Sequence, residues 1–486
     1  MVRFCLVLCY FVSFGASAQN EVIYHVFERS FYDANGDGQG DLRGLRLKLD
    51  YLQDLGVTAV LLTPLYSSAF YHNYFADDFF KIDPSYGSMA DFRDLVRDIH
   101  RRKMKIYLDM ETQYVTDSNA WWTQHKDFLV YDDSARTRPS PIIFGATELK
   151  GYDGKVRKVA MVDLYNPGVL AFNQRLFGYF IAAGVDGFRL DHMMDDLDWK
   201  GRLTDLFTRF WAPLLASLRR IDPHIIFIAE QANWGSYGFE YFSKGTVDRV
   251  FAFRLAGAIQ SFNKAALTAA ADSTLALLPP GKEQVVFIEN HDMDRFATRV
   301  GRDPGKERVG AALNLLLGGI PSIYYGQELG MFGSGGFNKF GVTDANDIPR
   351  REAFEWYASD TGRGMALWYK GSGAWWDSTN LKPFDGVSLE EEERDTASLW
   401  HYYVRLLALR RQYPALATGQ YVAVSNPNPY VFTFFRVSRA DAALVMVNLS
   451  PLEQRFPLRP GRRIFGPVDV LPPYGVEVSI LKDKYQ

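Results

Sequence analysis

The chain has 486 residues, 47% hydrophobic and 23% charged, ordinary globular values that allow a large buried core and exceed what one small domain needs. A net charge of −3 with a pI near 6.3 leaves no basic surplus to hold a polyanion, which excludes nucleic acid as an expected partner. Cys5 and Cys9 are the two cysteines, both near the N-terminus, so the rest of the chain has no disulfide framework.

The first predicted element is a leader. Arg3 precedes a short apolar run over residues 4–14, and Ala16-Ser17-Ala18 matches a small-residue cleavage site. Residues 1–18 therefore read as a signal peptide, and the product as secreted or periplasmic. No later run of about 18 uninterrupted apolar residues follows, so no membrane span is expected in the mature chain. Strands are predicted at 22–27, 60–63, 105–110, 185–191, 225–230, 249–253, 284–289 and 322–325, with helical patterns such as 91–102 and 203–218 between them. That alternation implies parallel βαβ units, and eight units fit a (β/α)8 TIM barrel. Periodicity alone leaves a doubly wound open sheet as a rival.

Between the first two strands, Asp33-Ala34-Asn35-Gly36-Asp37-Gly38-Gln39-Gly40-Asp41 places oxygen donors at alternate positions of a Gly-rich loop. Hard oxygen ligands suit Ca2+. The expected ligands are the side chains of Asp33, Asn35, Asp37 and Asp41 and the carbonyl of Gln39. Gly44 stands at loop position 12, so the loop is not an EF-hand. Residues 113–166 exceed an ordinary βα loop and read as a small inserted domain after strand 3. The barrel then comprises 19–112 and 167–409. Residues 410–486 switch to short strands (421–425, 431–437, 443–449, 476–481) broken by Pro-containing turns, the pattern of a C-terminal antiparallel β-sandwich.

Three acidic residues, Asp191, Glu230 and Asp292, close predicted strands. In such a barrel the strand C-termini converge on one mouth. Arg189 lies two residues before Asp191 and on the same strand face, a cation suited to keeping a nucleophile anionic. Glu230 follows the apolar run 225–229 with no cation adjacent in sequence, so burial is expected to raise its pKa, as a general acid requires. Unequal carboxyls of this kind are what retaining glycoside hydrolysis uses. Asp292, beside His291, is placed to hold sugar hydroxyls and stabilise the charged transition state. The remaining histidines, His25, His72, His100, His125, His192, His224 and His401, read as packing or surface groups.

These residues resemble the α-amylase family of glycoside hydrolases. "GFRLD" at 187–191, "FIAEQANW" at 227–234 and "FIENHD" at 287–292 resemble its three catalytic segments. "GVTAVLLTPL" at 56–65 and "GIPSIYYGQELGM" at 319–331 are similar to its second and eighth strands. The resemblance implies Asp191 as nucleophile, Glu230 as acid/base and Asp292 as transition-state stabiliser. It also implies Arg189, His291 and Tyr74 as contacts to the sugar at the cleavage point, and a structural calcium in the 33–41 loop. The chain departs from the family pattern at Gln113 and Tyr114, where an Asn-His pair is usual, at Met194 and Asp195, where Lys-His is usual, and at Phe75, where many exo-acting members carry Asp. The family's second calcium site leans on that Asn and is not expected here. The expected activity is hydrolysis of α-1,4-linked glucans by a monomer. The alternatives are a glucanotransferase, an α-glucosidase on short saccharides, or a non-catalytic sugar-binding protein on the same fold.

Overall fold

The structure is a computed structural model that describes residues 20–142, 145–376, 381–455, 461–467 and 470–481. The leader expected at 1–18, with Cys5 and Cys9, lies outside the described residues. Eight strands form a closed barrel: β1 (Ile23–Val26), β2 (Ala59–Leu62), β3 (Lys105–Met110), β4 (Gly187–Leu190), β5 (Ile226–Ala229), β6 (Arg249–Phe251), β7 (Glu283–Val286) and β8 (Ile320–Tyr324). Each pairs in parallel with its chain neighbours, and β1 also pairs with β8, closing the ring. That closure removes the open-sheet rival.

Alternation along the strands fills the barrel with Ile23, Leu61, Tyr107, Ile228, Phe251, Val285, Phe287 and Ile320. Gly187 is the small residue that admits the Tyr107 ring, since a Cβ there would lie 2.9 Å from Tyr107 Cδ1 and 2.4 Å from Ile226 O. The N-terminal end of the barrel is plugged by charge. Glu21 accepts from Tyr107 Oη at 2.8 Å and from Lys105 Nζ at 2.9 Å, and pairs with Arg249. The C-terminal end is left for the loops.

Helices pack outside the strands. Met89–Arg101 starts at a capping box in which Ser88 and Asp91 satisfy each other's backbone N–H. Pro167–Ala182 starts at Asn166 with Pro at its first position. The helix expected over 203–218 starts later, as a π-helical turn Phe207–Trp211 running into Ala212–Ile221. Asp205 has φ +53°, and Asp195 Oδ1 accepts from Phe207 N, which sets the start.

Within 113–166, Tyr114–Thr116, Glu148–Lys150 and Val156–Met161 form a three-stranded antiparallel sheet beside the barrel mouth. After β8 the described residues between 331 and 398 carry little regular structure beyond a 3-10 helix at Asp344–Arg350 and a short helix at Leu389–Glu392. The C-terminal strands β9 (Gln420–Ala423), β10 (Val431–Val437), β11 (Ala442–Asn448), β12 (Arg462–Phe465) and β13 (Val476–Leu481) make one antiparallel sheet, ordered β9-β10-β11-β13-β12. Buried Arg410 and Arg436 fasten it to the barrel by donating to the carbonyls of Leu315 and Leu316, the last residues of the Pro304–Leu316 helix. No helix among the described residues is long and apolar enough to cross a membrane.

Candidate active site

The mouth is assembled from strand ends. Asp109 of β3 lies in register with Arg189 of β4, so both side chains face inward. Arg189, 1% exposed, is the hub. Its Nη1 donates to both Asp109 oxygens at 2.9 and 2.8 Å and also to Asp191 Oδ1. Its Nη2 lies 3.1 Å from Glu230 Oε2. Asp191 follows β4 directly and Glu230 follows β5 directly. His192, at φ +46°, turns its backbone N–H to Glu230 Oε2 at 2.8 Å. Glu230 thus has a cation beside it, contrary to the sequence expectation, because the neighbouring strand supplies one.

Asp292 reaches the same group by a different route. β7 ends at Val286, not at 289, and six residues of loop carry Asp292 over the mouth. His291 Nε2 lies 3.0 Å from Asp292 Oδ2 and 2.7 Å from Tyr74 Oη, while Tyr74 Oη donates to Asp109 Oδ2 at 2.8 Å. The Tyr74 ring stacks on His291 with centroids 5.4 Å apart. All six sequence-predicted carboxylate and sugar-contact residues therefore meet: Asp191, Glu230, Asp292, Arg189, His291 and Tyr74.

The electrostatics are unequal. Burial raises Glu230; Arg189 opposes this and Asp191 adds to it. Burial also pushes Asp292 up to about 7, against the pull of Arg351. His291 is held well below the usual imidazole range by burial, with His25 and Arg351 adding, so it is neutral. The cluster offers a carboxyl anchored on Arg189, a carboxyl biased to keep its proton, and a third carboxyl over the same space.

A family model described as "Alpha amylase, catalytic domain" matches residues 25–205 and 228–419. The chain belongs to the α-amylase family. An "Alpha-amylase 3" of Dictyoglomus thermophilum is 28% identical, covering 90% of this chain and 86% of the relative. A "4-alpha-glucanotransferase" of Thermotoga maritima is 28% identical, covering 80% and 87%. A solved alpha-amylase from H. orenii is 26% identical, covers 95% and 99%, and superposes with a TM-score of 0.78. The chain is accordingly an enzyme of the glycoside hydrolase and transglycosylase class that makes up the α-amylase family.

Where this member departs from the family pattern, the structure shows what the replacements do. Gln113 Nε2 donates to the carbonyls of Asp191 and His192 at 2.7 and 3.1 Å, bracing the turn after β4. Tyr114 Oη donates to buried Asp198, which also lies 3.1 Å from His192 Nε2. Asp198 and Trp199 both have positive φ, and Trp199 is left 60% exposed, its ring centroid 6.4 Å from that of His192. Phe75 packs against His72 and Tyr114.

Sequence reasoning missed several residues. His25 packs edge-on against His291 with centroids 5.1 Å apart, and the backbone N–H of His192 donates to Glu230 Oε2, so these packing residues lie at the site itself. Arg351, from the long segment after β8, lies 3.0 Å from Asp292 Oδ1 and donates to His291 O at 2.9 Å. Glu111 is buried beside Asp191. His25, directly in β1, was the most readable of these from its place near a strand end. No spacing signal marks Arg351.

The 33–41 loop does not join this cluster. Asp33 Oδ1 accepts from Gly36 N at 2.6 Å and Oδ2 from Gly38 N at 2.7 Å; Asn35 Oδ1 accepts from Asp37 N at 2.9 Å and Asp37 Oδ1 from Gln39 N at 2.8 Å. Asp41 caps the next helix through Gly44 N at 2.8 Å. The Gln39 side chain pairs with Arg29, leaving its carbonyl for other uses. Glu28, against the same loop, is fully buried with both carboxyl oxygens unpartnered, and burial with Asp41 pushes it up to about 8. A loop of hard oxygens wound round itself, beside an orphaned buried carboxyl, fits a divalent cation such as calcium.

Proposed function

We propose that the protein is a secreted, retaining α-glucan hydrolase that cleaves α-1,4-glucosidic bonds of starch or maltooligosaccharides. One observation carries the reading: a single buried guanidinium, Arg189, bridges Asp191 and Glu230, which favours the short carboxyl separation of about 5–5.5 Å that retaining enzymes use. Asp191 is the nucleophile, paired with Arg189. Its oxygen attacks the anomeric carbon while Glu230 gives its proton to the departing glycosidic oxygen. Glu230, now an anion, then takes a proton from water. That water attacks the same carbon, the bond to Asp191 breaks, and the retained sugar leaves. Asp292 and neutral His291 hold the sugar hydroxyls, and Asp292 stabilises positive charge at the anomeric carbon. Tyr74 provides a face for the same sugar.

Asp33, Asn35, Asp37 and Asp41, with the Gln39 carbonyl, would hold calcium. Bound there, it would lock the segment between β1 and β2 and take no part in bond cleavage. The leader pattern supports export, and the chain is read as a monomer.

A second reading, glucanotransfer, is favoured by one feature: the exposed Trp199 face beside His192, whose backbone N–H holds Glu230, is suited to seating an acceptor sugar. One experiment serves both. Purified enzyme is given starch and maltotriose and the products are separated. Hydrolysis yields only shorter sugars from maltotriose, whereas transfer yields longer ones. Asp191→Asn is expected to lose at least about 10^3-fold in turnover while still binding substrate, by analogy with nucleophile losses elsewhere. Retained turnover in that variant would sink the nucleophile assignment.

A further inference from the structure

Glu111 has no part in the chemistry above, yet it is 1% exposed at the centre of the site. It continues the alternation of β3, in which Tyr107 and Asp109 face the barrel interior. Tyr66 clamps its backbone, donating to Glu111 O and receiving Glu111 N–H at 3.1 Å. One carboxyl oxygen, Oε1, accepts from the backbone N–H of Gln113. The register that pairs Asp109 with Arg189 and Met110 with Leu190 brings Glu111 opposite Asp191, whose N–H donates to Met110 O at 3.1 Å, so the two carboxyls are side by side at the ends of neighbouring strands. Two carboxyl groups so placed can hydrogen bond to each other only with a proton between them.

The charge balance says which group keeps that proton. Asp109, Glu111, Asp191, Glu230 and Asp292 meet two paired guanidiniums, Arg189 and Arg351, among the described residues. Arg189 is already committed to Asp109, Asp191 and Glu230. The other groups facing Glu111 are the phenols of Tyr66 and Tyr114, which carry no compensating charge.

We propose that Glu111 is a positioning residue for the nucleophile: its carboxyl stays protonated and donates its O–H to Asp191 as a second, uncharged donor beside Arg189. Burial, with the charge of Asp191 adding, pushes Glu111 well above the usual carboxylate range, in keeping with this role. The donor restrains the Asp191 carboxylate for attack without adding a positive charge that would weaken it. It also faces the same oxygen pair when the glycosyl ester breaks and negative charge returns. The proposal rests on Asp191 being the nucleophile.

The test compares Glu111→Leu, Glu111→Gln and Asp191→Asn, each followed by kcat, KM and the pH profile of kcat/KM. Glu111→Leu removes the donor and is expected to lower kcat by about 10- to 100-fold with little change in KM, the usual range for a hydrogen bond to a charged group. In Glu111→Gln the amide N–H replaces the O–H at unchanged charge. It should rescue most of the loss and leave both limbs of the profile where the wild type has them. If Glu111 is instead an anion, its neutralisation lowers the pKa of its carboxyl neighbours, and both limbs move down by about one unit or more. That result overturns the proposal, as does wild-type kcat in Glu111→Leu. Should Glu111→Leu fail to fold, the Glu111→Gln profile still decides. Turnover retained in Asp191→Asn defeats the nucleophile reading itself, a separate outcome.

Discussion

Arg351 shows how much of the site's chemistry depends on a residue without a motif. Its guanidinium lies 3.0 Å from Asp292 Oδ1 and also donates to His291 O and to Tyr71 Oη. It opposes the burial that pushes Asp292 up to about 7. Removing the cation favours the protonated carboxyl, so Asp292 in Arg351→Met titrates at higher pH. The acid limb of kcat/KM is expected to move upward by about one unit, and activity at neutral pH to fall by about fivefold. Arg351→Lys keeps the charge but not the fork that holds three partners, and is expected to lie between. An unmoved acid limb in Arg351→Met would exclude Asp292 as the group titrating there. At this scale the sequence disclosed what strand ends disclose. Asp191 and Glu230 were legible because each follows an apolar run directly. Arg351 and Glu111 were not, because irregular backbone between β8 and the Leu399–Gln412 helix delivers the first, and the second is one more acidic residue until Asp191 is seen beside it.

The 33–41 loop is an element whose spacing was readable and whose occupancy a measurement can decide. Its backbone N–H groups already bind its own oxygens, and carboxylate oxygens keep further lone pairs for a cation. If calcium binds the folded state alone, saturation at 100 times Kd adds about 2.7 kcal/mol. Chelation should therefore lower the melting temperature of the wild type. Asp33→Ala should melt lower from the start and show no further change with EDTA. A wild type indifferent to chelation would empty the site. Other elements were legible to different degrees for physical reasons. β3 was placed without error because its apolar run is bounded by Lys105 and by the turn after Met110. β7 was predicted too long, since the loop after it is apolar at Phe287 and Ile288. β12 was missed: it is a half-exposed edge strand of Arg, Arg, Ile and Phe, with little alternation to read.

At the scale of the whole molecule, closure of eight parallel strands followed from the strand–helix rhythm together with the motifs at strand ends; the rhythm alone suited an open sheet equally. What the rhythm could not show is the number of titratable groups buried inside, and these set the pH dependence of stability. Burial pushes Asp344 and Glu392 up to about 8. Such groups bind a proton in the folded state that the unfolded chain has released, so between about 4.5 and 8 each lowers stability as pH rises. Burial drives His25 down to about 3 and holds His72 and His291 well below the usual range. Each of these costs stability as pH falls below about 6.5, where the unfolded chain takes up protons that the folded one refuses. Below 6.5 the two sets oppose each other. Above it the histidines are neutral in both states and only the carboxyls act, each contributing up to about 1.4 kcal/mol per pH unit. The melting temperature should therefore fall between about pH 7 and 8, which thermal unfolding in matched buffers at constant calcium would show. A melting temperature that stays flat through that interval would mean that these carboxyls are already ionised in the folded protein.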